Sequence, residues 1–170
     1  MKTYVLGLIL IGLTNLSFSQ NDLVYTDVNT KTHVNAKSST NNASFINSFS
    51  MEQIPSRIKN FQKYVAEYKI SEASVFRPSQ EHTYNVVFKE DNNSITNLYD
   101  ADGIILKSEQ TFTEVRLPYH LSTTLAKTHP NWSIVAVQCN ILYTKNEEPV
   151  ITYKVKLEQG MNSKAVKLMN

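Results

Sequence analysis

The sequence predicts an α+β fold, built as a tandem of two helix-plus-antiparallel-sheet units. Ile54-Pro55 opens a helix-like stretch that leads into alternating, strand-like runs, and Leu117-Pro118 opens a second one. The alternating run Tyr84–Phe88 recurs as Tyr153–Leu157, and an Asn-Ser pair follows in both copies. Short polar turns separate the strand-like runs. They predict antiparallel hairpins rather than the parallel sheet of a nucleotide-binding fold.

Residues 1–20 have the three parts of a secretory signal peptide. Lys2 gives a positive start, Tyr4–Leu13 is apolar, and small and polar residues lead to Gln20. The apolar run is shorter than the roughly 20 residues that span a bilayer. We therefore expect cleavage near Gln20, a periplasmic or extracellular location, and no stable membrane insertion afterwards. A retained anchor is the alternative.

Residues 21–50 are rich in Asn, Ser, Thr and Lys and show no sustained period of a helix or strand. This composition predicts a flexible polar leader. Phe45, Ile46 and Phe49 at its end are candidates for docking onto the domain. The domain is expected at 51–170, with unit one at about 53–113 and unit two at about 114–170.

The strongest helix of the chain is predicted to follow Pro55, which suits a first helical turn because it lacks an N–H group. The apolar residues of this stretch are spaced as one helical stripe: Ile54, Ile58, Phe61, Val65 and Tyr68. Alternation and turn residues then predict four strands. These are Ala73–Phe76, His82–Lys89, Ser94–Tyr99 and Ile104–Phe112.

The second helix is predicted over Pro118 to Thr128, because Leu117, Leu121 and Leu125 form its stripe and Pro130 ends it. Three strands are expected after it. They are Trp132–Tyr143, Val150–Glu158 and Ser163–Met169.

Charge argues against an electrostatic nucleic-acid binder, since 17 Lys and Arg face 15 Asp and Glu. Lys154, Lys156, Lys164 and Lys167 form the one modest cluster. Alternation places Lys154 and Lys156 on the same strand face. A solvated surface is favoured there over an anion site.

The single Cys139 has no partner for an internal disulfide. It lies in Val135–Tyr143, where every second residue points to a face that should be buried. A small core residue is therefore favoured over a nucleophile.

The segment Asp100-Ala-Asp102-Gly103, with Glu109, matches several positions of a calcium loop. Leu98 stands at the first ligand position and offers no oxygen, and the flanks have strand patterns. A hairpin turn is favoured instead, because Gly tolerates positive φ.

The histidines lack the close spacing of a zinc site, and Glu147-Glu148 lies in a polar turn. Phosphate loops, nucleophile elbows and metalloprotease motifs are missing from the sequence. We therefore expect no catalytic residue, no cofactor and no metal site. The histidines considered are His33, His82, His120 and His129.

Three aromatic residues, Tyr119, Trp132 and Tyr143, could form an exposed patch for a partner. They could also seal the second helix onto the sheet. Packing is favoured, because Tyr143 shares the apolar face of its strand and Trp132 starts that strand.

These stretches together resemble a known family. The resemblance lies in the Tyr84–Phe88 strand, the turn within Asn97–Leu106, the helix between Leu117-Pro118 and His129-Pro130, and the Tyr153–Leu157 strand. They are similar to the PepSY-like family of small secreted Bacteroidetes proteins, also described as β-lactamase-inhibitor-like. The similarity covers roughly residues 53–169. The last strand departs from the pattern, because no Asp-x-Asp-Gly turn follows it, so its edge should be open for pairing.

The resemblance implies tandem helix-plus-sheet units, a location outside the cytoplasm and no enzymatic activity. It also implies that a sheet face binds another protein, such as a peptidase or other hydrolase that it restrains. No partner-binding residues carry over.

Two alternatives remain open from the sequence. One is a small-ligand carrier or undetected enzyme, with a cavity of roughly 300 Å³ or more between helix and sheet. The other is a structural component of a surface assembly, joined through the last strand.

Overall fold

The structure is a computed structural model that describes residues 22–27, 41–49, 54–74, 76–77 and 83–170. The predicted signal peptide, His33 and His82 lie outside these residues. The helices are α1 (Ala43–Asn47), α2 (Ser56–Ala66) and α3 (Tyr119–Thr128), with a 3₁₀ turn at Ile70–Glu72. The strands are β1 (Asp22–Asp27), β2 (Tyr84–Glu90), β3 (Asn93–Tyr99), β4 (Ile105–Thr113), β5 (Ser133–Thr144), β6 (Val150–Gln159) and β7 (Asn162–Met169).

The described strands form one sheet in the order of the sequence, from β1 to β7. From β2 to β7 each strand pairs with the next in antiparallel orientation, whereas β1 pairs with β2 in parallel. The α+β class is confirmed. The strands of the two predicted units are continuous, because β4 pairs with β5 over seven register positions from Lys107 to Thr113.

Two prolines begin the long helices in nearly the same way. Pro55 has φ −56° and ψ 145°, and Pro118 has φ −52° and ψ 145°, each directly before the first helical residue. The predicted apolar stripes of α2 and α3 are buried, apart from Tyr68, which is partly buried against the core. Both helices are thus confirmed, within a residue of the predicted start.

The two recurring strands noted in the sequence form matching hairpins. Tyr84 of β2 pairs with Tyr99 of β3, and Tyr153 of β6 pairs with Leu168 of β7. In both pairs, the second hairpin lies 69 residues after the first. The turns also match, since Asp91 has φ 52° and Gly160 has φ 56°.

The core lies between the helices and one face of the sheet. Phe61 of α2 packs edge-on against Phe112 of β4, with ring centroids 6.1 Å apart. Phe45 of α1 packs on Phe49 and on Tyr143 of β5, at 5.2 Å and 5.1 Å. The sheet is therefore braced on one side along much of its width.

The expectation of a leader without regular structure is wrong for two stretches of residues 21–50. Residues 22–27 form β1, and residues 43–47 form α1. Composition does not reveal β1, since a strand can be held by main-chain hydrogen bonds to its neighbour. Docking of Phe45 and Phe49 is confirmed, because both are buried.

The predicted strand at Ala73–Phe76 is also wrong, since the described residues there lie outside any strand. The chain instead buries Ile70 in a 3₁₀ turn. Phe76 then packs on the ring of Tyr84, whose hydroxyl accepts from Arg77 N and donates to Arg77 O. In the β6–β7 hairpin, the outer neighbour of β6 is β5. In the matching β2–β3 hairpin, the outer neighbour of β2 is β1.

Candidate functional site

One side of strands β5, β6 and β7 faces away from the helices. We call this side the open face. Its side chains alternate with the buried ones, so that neighbouring strands place them in rows. In register, these rows contain Ala136, Gln138, Asn140 and Leu142 of β5, Val150, Thr152, Lys154 and Lys156 of β6, and Ala165, Lys167 and Met169 of β7.

One end of the open face is apolar. Leu142 lies directly opposite Val150, and their exposed fractions are 41% and 45%. Met169 lies opposite Thr152, one row further along, and is 67% exposed. A group of large apolar side chains in contact with water is a common mark of a protein interface.

The next row carries two lysines. Lys154 and Lys167 are directly opposite each other on β6 and β7, and both are exposed. Within the described residues, neither one has an ion-pair or hydrogen-bond partner for its side chain. By contrast, Lys156 lies 2.7 Å from a carboxylate oxygen of Glu158. Among the described residues, this row therefore carries positive charge that no carboxylate offsets. Like charges in directly opposed positions are destabilising.

Lys164, the fourth lysine of the predicted cluster, belongs to the other side of the sheet. It pairs in register with the buried Leu157. Its Nζ lies 4.1 Å from the centre of the Trp132 ring, a cation–π contact. The structure therefore divides the cluster between two faces.

Two shallow grooves run along the open face. One of about 410 Å³ lies over the lysine pair and is lined by Asn140, Thr152, Lys154, Ala165, Val166 and Lys167. Another, of about 680 Å³, extends toward the other end of the strands, where Asn92, Thr113, Glu114, Ala136 and Ser163 contribute. Both open to solvent on the sheet surface, away from the helix-covered core.

Cys139 lies on the helix-covered face, opposite Tyr153, and is buried. Burial raises the pKa of its thiol to about 11, while interaction with the Tyr153 hydroxyl offsets part of that rise. Burial also raises the pKa of Tyr153. At neutral pH the thiol is protonated and poorly nucleophilic, so the predicted core role is confirmed.

A group of buried polar residues between α2 and the sheet escaped the sequence analysis. Gln62 Nε2 donates to Gln110 Oε1 at 2.8 Å, and Gln110 Nε2 donates to Ser108 Oγ at 3.1 Å. Nearby, Asn97 Nδ2 donates to Tyr99 Oη at 3.0 Å. The only indication of these residues in the sequence is the alternation along β3 and β4, which places them on the inward face of the sheet. They are enclosed, and they tie α2 to the sheet.

The Asp100 segment forms the turn between β3 and β4. Asp100 Oδ1 accepts from the N–H groups of Asp102 and Ile104 at 3.0 Å and 2.8 Å, and Gly103 has φ 78°. The predicted hairpin turn is confirmed. Glu109 lies within β4, where its carboxylate is 2.6 Å from Lys107 Nζ.

The other candidate residues are dispersed. His120 is exposed on α3, and His129 Nδ1 lies 2.8 Å from Thr128 Oγ1. Glu147 and Glu148 are exposed in the β5–β6 turn. In the described part of the chain, no group of three His, Cys, Asp or Glu side chains could hold a metal ion, and no helix there could cross a membrane.

The three aromatic residues do not gather into one patch. Tyr143 is buried beneath α1 rather than α3, and Trp132 is partly buried against the core. Tyr119 remains 85% exposed on α3. Packing is thus confirmed for Trp132 and Tyr143 but is wrong for Tyr119.

Comparisons with models of known protein families, with curated proteins and with solved structures found no match.

Proposed function

We propose that the protein is a secreted or periplasmic, non-enzymatic module that binds another protein through the open face. The observation that carries this proposal is the exposed apolar group Leu142, Val150 and Met169 beside the lysine row. Such a surface places exposed apolar side chains next to charged ones, and protein interfaces combine the two. Its partner would be an extracellular peptidase or another hydrolase, which the module restrains.

The architecture supports a binding surface that is preorganised in the free protein. The strands of the open face carry buried residues on their other side, and Leu157 and Tyr143 there lie under α3 and α1. A braced surface loses little conformational freedom on association, which favours affinity.

We also propose that the chain is a tandem of two PepSY-like units. The equal registers of the β2–β3 and β6–β7 hairpins, and the equal proline starts of α2 and α3, support this arrangement. In this view β1 substitutes for the missing first strand of unit one. The PepSY-like resemblance itself rests on the sequence motifs.

The proposal is tested by affinity capture from the periplasmic and secreted fractions of the source organism, comparing the wild type with the double variant Leu142→Thr and Val150→Thr. Threonine keeps strand propensity while removing exposed apolar area. We expect capture of the partner to fall about tenfold or more, since interface energy is concentrated in a few residues. The captured protein is then assayed for peptidase and other hydrolase activity.

Tyr119→Ser is the matched control, because Tyr119 is an exposed apolar residue outside the open face. It should leave capture unchanged. A loss of capture with the control, and none with the double variant, would move the interface to the α3 side. Capture without loss of hydrolase activity would indicate an adaptor rather than an inhibitor.

The grooves on the open face provide the observation for the carrier alternative. They are open and lined partly by lysines, unlike the enclosed apolar cavity of a typical carrier. The assembly alternative would use β7, which lies at an edge of the described sheet. Concentration-dependent oligomers of the purified protein would support it.

A further inference from the structure

We infer that the partner presents an acidic segment with apolar neighbours to the open face, with a carboxylate between Lys154 and Lys167. This inference rests on the proposed function and specifies the chemistry of the partner. The two ammonium groups stem from directly opposed positions on adjacent strands. Opposed strand positions have Cβ atoms about 5 Å apart, so one carboxylate can approach both lysines.

Charge complementarity favours an acidic segment of the partner at the row of Lys154 and Lys167. Other lysines on the same side of the sheet already have carboxylates beside them, as Lys107 has Glu109 and Lys156 has Glu158. The row of Lys154 and Lys167 lacks such a partner within the described residues. The repulsion between these two lysines would be relieved by an external carboxylate.

The apolar end of the face favours a protein over another polyanion. Leu142, Val150 and Met169 lie within two rows of the lysine pair, where a peptide could place apolar side chains next to its carboxylate. A nucleic acid or an anionic membrane would call for a broader basic surface. The formal net charge of the chain is only +2.

The test is an NMR titration of the exported, isotope-labelled protein with two synthetic octapeptides. One alternates Glu and Leu, and the other has Gln in place of Glu. We expect the acidic peptide to shift the amide signals of residues 152–156 and 165–169 and to bind at least about fivefold tighter at low salt. About 0.5 M NaCl should abolish this preference, because salt screens exposed charges.

The variant Lys167→Glu distinguishes loss of the binding site from loss of the folded structure. It places a carboxylate opposite Lys154, so the midpoint of urea unfolding should equal or exceed that of the wild type. Binding of the acidic peptide should nevertheless fall about tenfold. The matched control is Lys63→Glu, which changes the net charge equally at an exposed position of α2 and should retain binding.

Three results would overturn the inference. Equal binding of the two peptides on the open face would remove the acidic preference and leave the proposed function standing. Failure of the acidic peptide to bind would contradict the inference, while the proposed function would still be decided by the capture experiment. Binding to phosphatidylglycerol vesicles through Lys167, without peptide binding, would assign the lysine pair to a membrane surface.

Discussion

At the scale of single residues, position on the sheet decides the chemistry of each side chain. Cys139 of β5 and Lys154 of β6 lie on neighbouring strands, and their side chains face opposite sides of the sheet. The thiol is buried and protonated, whereas the ammonium group is exposed and, in the part of the chain that the structure describes, has no carboxylate beside it. Alternation in the sequence predicted both orientations correctly. It could not predict that Lys154 lies opposite Lys167, because that pairing depends on the register set by the β6–β7 turn.

The buried thiol makes stability sensitive to alkaline pH. The pKa of Cys139 is raised from its usual value to about 11 in the folded state, so the unfolded chain loses this proton first as pH rises. Stability from this group is therefore present below about pH 9 and is lost as the pH rises toward 11. The loss would be on the order of 2 kcal/mol.

Urea unfolding between pH 7 and pH 11 measures this effect in the wild type and in Cys139→Ala. The variant should start lower because of its small cavity, but its stability should decline less steeply above pH 9. Part of the decline will remain, since burial also raises the pKa of Tyr99 and Tyr153. Parallel curves for the two proteins would contradict the assignment.

At the scale of elements, the leader is part of the fold rather than an appendage in its described stretches. Asn42, just before α1, donates from Nδ2 to the carbonyl oxygens of Gly103 and Ala66 and accepts from Ile105 N–H. These bonds join α1, the end of α2 and the start of β4. A polar composition predicted disorder here, because one buried amide looks the same in sequence as a solvated one.

Asn42→Ala should therefore cost about 2–4 kcal/mol of unfolding free energy, because it removes the hydrogen-bond partner of three main-chain groups, those of Ala66, Gly103 and Ile105. Chemical denaturation at neutral pH gives this value. Asn41→Ala is the matched control at the neighbouring exposed position, and it should stay within about 0.5 kcal/mol of the wild type. If both variants lose equally little, then Asn42 does not anchor the leader.

Most other elements were predictable because their signals are local. Proline starts, apolar stripes and alternating runs gave α2, α3 and strands β2 to β7 nearly to their ends. β1 was not predictable, since it is a parallel neighbour of a strand more than 50 residues away in sequence. The wrong prediction of a strand at Ala73–Phe76 has a similar cause, because local alternation does not show that Phe76 packs on Tyr84.

At the scale of the whole molecule, one sheet has two unlike sides. The helices cover one side and bury the aromatic core, and the open face lies on the other side of the same strands. The sequence indicated which residues alternate, but not that the strands of the two predicted units form one continuous sheet through the pairing of β4 with β5. The candidate site depends on that larger arrangement, since its rows combine side chains from three strands.

The central claim is that the open face contacts a partner protein. Hydroxyl-radical footprinting of the free protein and of its captured complex tests this claim directly, because Met169 and Tyr119 are reactive, exposed side chains on opposite sides of the molecule. We predict that oxidation of Met169 falls severalfold in the complex, while oxidation of Tyr119 is unchanged. Protection of Tyr119 with Met169 still fully oxidised would contradict the claim.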